Sequence, residues 1–129
     1  MRELKPRAWS IDSECWCTRV DYDGYKEEWS GIVPVLAPDN RSKRIGEVED
    51  TNIIVEFPTG LKDKNGKEIY EGDIIDFFGE RYPVIYRAGG FWVEYSKTQK
   101  DHLFLYAIDS EIIGNIHENK ELLEIKDVD

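Results

Sequence analysis

Short runs of β-branched and aromatic residues, broken at close intervals by Gly, Asn, Asp and Pro, dominate the chain. Such a pattern, without a long 3.6-residue period, predicts strands joined by tight turns. The runs place strands near Arg7–Ile11, Cys15–Val20, Gly31–Val35, Thr51–Phe57, Ile74–Phe78, Val84–Arg87, Phe91–Tyr95, His102–Ala107 and Ile112–Ile116. Only the end reads as helix. There Glu118-Asn119 precedes Lys120-Glu121-Leu122-Leu123-Glu124, with Asn119 placed to cap the first turn and Glu121 to favour the positive end of the dipole.

The turns carry their own chemistry. Asn65-Gly66 offers the two positive-φ positions of a type I′ turn, so Leu61–Asp63 and Glu68–Tyr70 are expected to pair as a hairpin. Glu71-Gly72-Asp73 reads as a turn into the apolar run Ile74-Ile75-Asp76-Phe77-Phe78, and Gly79-Glu80 and Gly89-Gly90 as the next reversals. Pro83, inside the alternating run from Tyr82 to Arg87, predicts an edge strand or a bulge. Phe91, Val93 and Tyr95 fall on one face and Trp92 and Glu94 on the other. The polar stretch Pro38–Asp50 reads as an exposed loop or linker.

The expected class is therefore all-β and mainly antiparallel: an N-terminal β segment over residues 1–50, then an SH3-like barrel over residues 51–129 closed by a short terminal helix. At 129 residues, with 40% apolar residues, the chain can bury one sizeable core. No apolar run nears the roughly 20 residues of a membrane helix, and MRELKPRAW lacks the apolar stretch of a signal peptide. A cytoplasmic protein without membrane partners is expected. Cys15 and Cys17 are too close in sequence for an unstrained disulfide, which favours free thiols.

Charge narrows the partners. With 17 basic and 27 acidic residues the net charge is −10, which disfavours nucleic acid, itself a polyanion. Residues 1–50 hold 8 basic and 11 acidic residues and residues 51–129 hold 9 and 16, so the acidity concentrates in the second part.

Three stretches then resemble the YopX family of phage and prophage proteins: Arg7-Ala8-Trp9, Thr59–Ile75, and Glu111–Asn119 with Glu121-Leu122-Leu123. Gly89-Gly90-Phe91-Trp92 is a weaker fourth point. Pro6 and Ser10 stand where members commonly have Phe and Asp, and Lys120 where many have Pro. The resemblance implies a bacterial or phage origin and an all-β fold with an SH3-like barrel. It implies no particular activity.

The residues offer little catalytic chemistry. Cys15, Cys17, His102 and His117 would suit zinc by type, but no standard finger has their spacing. A Cys–His nucleophile pair lacks any local motif. Glu71, Asp73 and Asp76 could converge on a cation, yet the same residues serve a turn whose N–H groups a carboxylate would accept. Aromatic side chains give the better hypothesis: Trp92, with Tyr82 or Tyr86, could clasp a peptide or stack bases if not consumed by the core, and Arg41, Lys43 and Arg44 form a basic patch. The expectation is a phage or prophage accessory protein that binds another protein, without catalysis, cofactor or metal. A nucleic-acid-binding barrel, a thiol- or metal-dependent enzyme and a homo-oligomer are the alternatives.

Overall fold

The computed structural model describes residues 5–36, 44–96 and 98–123. The chain divides into two compact units, Met1–Glu56 and Phe57–Asp129. The sequence reading divides it at 50/51; the strand ending at Glu56 pairs with the first strand and so lies in the first unit.

The first unit holds β1 (Arg7–Ser10), β2 (Cys15–Trp16), β3 (Arg19–Asp23), β4 (Glu28–Leu36), β5 (Arg44–Asp50) and β6 (Ile53–Glu56). They form two antiparallel sheets, ordered β2-β1-β6 and β3-β4-β5. Arg44–Asp50 is thus a strand rather than the expected loop; residues 37–43 lie outside the described residues. Its register explains why: Val48 pairs with Val33 on one face, while Glu47 and Glu49 oppose Pro34 and Ile32 on the other. A strand that keeps acids on one face looks polar when read as a run. On β1, Arg7 faces Glu56 across the ladder and its Nε–H donates to the Glu56 carboxylate at 3.0 Å. The Arg7 guanidinium lies 4.5 Å from the Trp16 ring, and Trp16 meets Trp9 edge-on at 5.1 Å.

The second unit holds β7 (Pro58–Lys62), β8 (Glu68–Tyr70), β9 (Asp73–Phe77), β10 (Glu80–Arg87), β11 (Gly90–Glu94), β12 (Lys100–His102) and β13 (Ser110–Asn115). β7 and β8 form a hairpin, and the other five strands form one antiparallel sheet ordered β12-β11-β10-β9-β13. Antiparallel strands dominate both units, so the chain is all-β. β12 and β13 stand at the two ends of this order. Ile69, Ile75, Val84, Val93, Leu103 and Ala107 make the buried core, bordered by Leu61, Tyr82, Phe91, Tyr106 and Ile112. Each fully buried side chain of this size contributes roughly 1.5–3 kcal/mol.

Several local expectations change. The run after His102 is not a strand: Leu103–Leu105 and Ala107–Asp109 are 3-10 turns. Leu103 and Ala107 point into the core while Leu105 is exposed, which alternation would not allow. Pro83 lies in an interior strand, at the point where β10 passes from its ladder with β9 (Glu80–Pro83) to its ladder with β11 (Val84–Arg87). A missing N–H is tolerated where one ladder gives way to the next. The terminal helix is a 3-10 turn, Lys120–Leu123.

Candidate binding surface

The most recognisable sequence of the chain proves to be architecture. Asp63, only 5% exposed, accepts N–H groups of Asn65 and Lys67, each at 2.9 Å, and of Ile112 at 3.0 Å. Gly66 N–H bonds the Asp63 carbonyl and Asp63 N–H the Lys67 carbonyl, both at 2.9 Å. Gly66 has φ 82° while Asn65 is absent from the positive-φ residues. The hairpin therefore closes through a three-residue loop with a glycine bulge, not a type I′ turn, because the Asp63 carboxylate gathers the loop's amides. Burial pushes the Asp63 carboxyl up, but the Ile112, Lys67 and Asn65 amides and the Lys67 charge outweigh it and hold it below the usual carboxylate range.

The other candidate carboxylates serve separate amides rather than converging. Glu71 accepts from Phe57 N–H at 3.1 Å, Asp73 from Tyr70 N–H at 2.8 Å and Asp76 from Gly79 N–H at 3.1 Å. At the far end, Asn115 Oδ1 accepts the His117 and Glu118 N–H groups, and Asn119 Oδ1 accepts Asn115 N–H at 3.1 Å. Asn119 thus reaches back to β13 instead of capping the next turn through its side chain. Gly114 permits this: a Cβ there would stand 2.7 Å from Asn119 Cγ.

The thiols are embedded in the first unit. Both cysteines are free and half-buried. Burial pushes both thiols up from the ordinary range, Asp50 adds to this, and Cys15 does so for Cys17. Asp50 itself is held low, by the Ser10 hydroxyl and then the Asn52 N–H, against a smaller effect of burial. A thiol kept protonated is a weak nucleophile and a weak ligand. His102 and His117 belong to the second unit. Among the described residues, no three His, Cys, Asp or Glu side chains gather in a way that could hold a metal ion.

The aromatic candidates separate onto two faces of the five-stranded sheet. Tyr82 and Tyr86 lie on the face of Val84, and Trp92 on the opposite face in a row with Ile85 and His102. Tyr82 packs against the core. Its ring is 5.7 Å from Tyr106 and 6.3 Å from Tyr95. Tyr106 continues the series to Phe77 at 4.5 Å, and its hydroxyl donates to Asp101 at 2.7 Å. That hydrogen bond, with burial and the Asp101 charge, pushes the Tyr106 phenol up to about 12. Beside Tyr82, an open groove of about 570 Å³ is lined by Tyr95, Glu80, Glu94, Arg81 and Leu123 among others. Tyr86 is 53% exposed and touches Phe91 at 5.1 Å.

Trp92, half-buried, stacks on His102 at 4.1 Å, His102 lies 5.5 Å from Phe104, and Lys100 sits 5.1 Å over the Trp92 ring. The indole N–H is fixed by the Arg87 carbonyl at 2.8 Å. Arg41 and Lys43 of the basic patch lie outside the described residues, and Arg44 opens β5.

Four strongly exposed apolar residues of the second unit were not evident in the sequence: Phe78 (77% exposed), Phe104 (61%) and Leu105 fall inside apparent strands, and Ile108 (74%) just after one. Phe78 and Gly79 have φ of 51° and 91°, and Phe77 pairs with Glu80, which makes a two-residue loop of the I′ kind. Ala88 and Gly89 repeat the device between Arg87 and Gly90. Holding a bulky L-residue in this region costs roughly 1–2 kcal/mol. An x-Gly pair between two apolar runs was the signal in the sequence.

Among the described residues, no helix is long and apolar enough to cross a membrane. Comparison with curated proteins finds no match. The crystal structure of protein EF1440 from Enterococcus faecalis is similar to this chain, with a TM-score of 0.52 and 25% identity over 96% of this chain and 100% of that one. The family described as YopX protein matches residues 5–124, nearly the whole length and all three of the motifs above, and the chain belongs to the YopX family.

Proposed function

We propose that this YopX-family chain is a phage or prophage accessory protein that acts in the cytosol of a bacterial host by binding another protein, with no chemistry of its own. The observation that carries this reading is the set of large apolar side chains, Phe78, Phe104, Leu105 and Ile108, turned to solvent on a unit that already has a complete core. Solvent-facing aromatics of this kind are the usual anchors of protein interfaces. Asp63, Glu68, Glu71 and Asp73 of the Thr59–Ile75 motif, by contrast, accept backbone amides.

The test is affinity capture from a bacterial host extract on the immobilised chain, in parallel with a chain carrying Phe104→Ser and Ile108→Ser. The wild type is expected to hold a host protein that the variant loses by about tenfold or more. Empty capture, or equal capture by both chains, would overturn the reading.

A further inference from the structure

We propose that Phe78 is the anchor of a docking surface for a protein with a basic face: its ring enters an apolar socket on the partner, while Glu80 and Asp109 meet Lys and Arg around that socket. The inference rests on the protein-binding reading above and names where and with what chemistry the contact is made.

Three independent observations converge on the tip between β9 and β10. Phe78 is a bulky residue at φ 51°, in a turn position where Asn, Asp or Gly would sit without strain. The ring gains little shelter in return, being 77% exposed with its neighbour Phe77 at 4.7 Å. Fold requirements therefore do not explain a phenylalanine here. A contact made outside this chain does.

The surroundings state the charge of the partner. Glu80 follows the turn on β10, whereas Asp76 accepts the Gly79 N–H and stands across the ladder from Arg81, a cation of this chain. Ser110 pairs with Phe77, so Asp109, the last residue of the 3-10 turn that leads into β13, comes next to the end of β9 that carries Phe78, with Ile108 one residue before it. Glu80, Asp109 and Ile108 are exposed, so the apolar tip carries an acidic rim. That arrangement complements a socket ringed by cations, and the net charge of −10 strengthens encounter with such a face at a distance. A second copy of this chain would present the same acidic rim and is repelled. A nucleic acid would be repelled likewise.

Two substitutions separate this surface from the fold. Phe78→Asn creates an Asn-Gly pair, the preferred I′ sequence, so thermal stability is expected to be unchanged or raised. Asp109→Lys reverses one rim charge at an exposed position. For identification, p-benzoylphenylalanine is placed at position 78 of the full chain, irradiated in bacterial host extract, and the cross-linked peptide is mapped; a second chain carries the same photo-reactive group at position 92. Support is a cross-link from position 78 to an apolar site flanked by Lys and Arg, suppressed by excess wild-type chain but about tenfold less by the Phe78→Asn or Asp109→Lys chain. Its yield also falls several-fold between about 0.05 M and 0.5 M salt. A cross-link to another copy of this chain, to a site without basic residues, or one suppressed equally by wild type and variants overturns the proposal. So does a fall in the melting temperature of Phe78→Asn, which would make Phe78 a packing residue. Cross-linking from position 92 alone overturns the Phe78 surface and leaves the protein-binding reading intact; cross-linking from neither position overturns both.

Discussion

Asp63 ties two separate segments of the second unit to one side chain, since three backbone amides end on it. Asp63→Ala strands those amides in a buried site and is expected to cost about 3 kcal/mol, read as a lowered urea midpoint. Its carboxyl is held low in the fold, so its contribution is complete above the ordinary carboxyl range near 4 and is lost as pH falls through the lower folded value. Asp50, also held low, adds to the same acid-side loss. Tyr106 acts at the other end of the scale. Its phenol is raised to about 12, so the stability it brings is complete below about 10, where an unfolded Tyr begins to ionise, and declines as pH rises through about 12. Tyr106→Phe should remove this alkaline decline and one late step from the phenolate absorbance titration. The roles of Asp63 and Tyr106 were not legible in the sequence, because Ile112 lies 49 residues from Asp63 and the Tyr106–Asp101 hydrogen bond spans a 3-10 turn, Leu103–Leu105, that reads as strand.

At the level of elements, strands announced themselves where apolar residues mark one face, as in β11, or both, as with Ile74 and Ile75 in β9, and hid where acids alternate with small residues, as in β5. Turn type was the harder property. Asn65-Gly66 has the strongest hairpin composition in the chain and yet adopts a bulged loop, because a carboxylate two residues earlier competes for its amides. Phe78-Gly79 has a poor composition and adopts the I′ geometry, because the ladder from Phe77 to Glu80 leaves two residues for the reversal. The aromatic site residues were legible as a group, but their faces followed only from the register. Gly114 tests the terminal element directly. Gly114→Ala places a methyl against the Asn119 side chain and is expected to cost about 1–3 kcal/mol, whereas Gly46→Ala, with open space around it, should fall within about 0.5 kcal/mol. Thermal melts of the two variants would show whether the Asn115–Asn119 loop is as tightly fitted as its geometry implies.

For the whole molecule, the net charge of −10 and the β architecture bear on association rather than on the fold. Sedimentation at about 0.05 M salt, where charges act over more than 10 Å, should give a monomer. The sheet of the second unit also has a consequence in time. β9 to β12 follow one another as a meander that pairs through nearby residues, but β9 completes its second ladder only with β13, whose paired residues all lie more than thirty positions further along. Local hairpins close within microseconds and distant pairings follow more slowly. During synthesis, then, β9 emerges with its apolar residues and one bare row of amides facing outward, and it stays so until residue 115 has been made. Until that last strand arrives, Ile74 and Ile75 are the part of the nascent chain most exposed to pairing with a stranger.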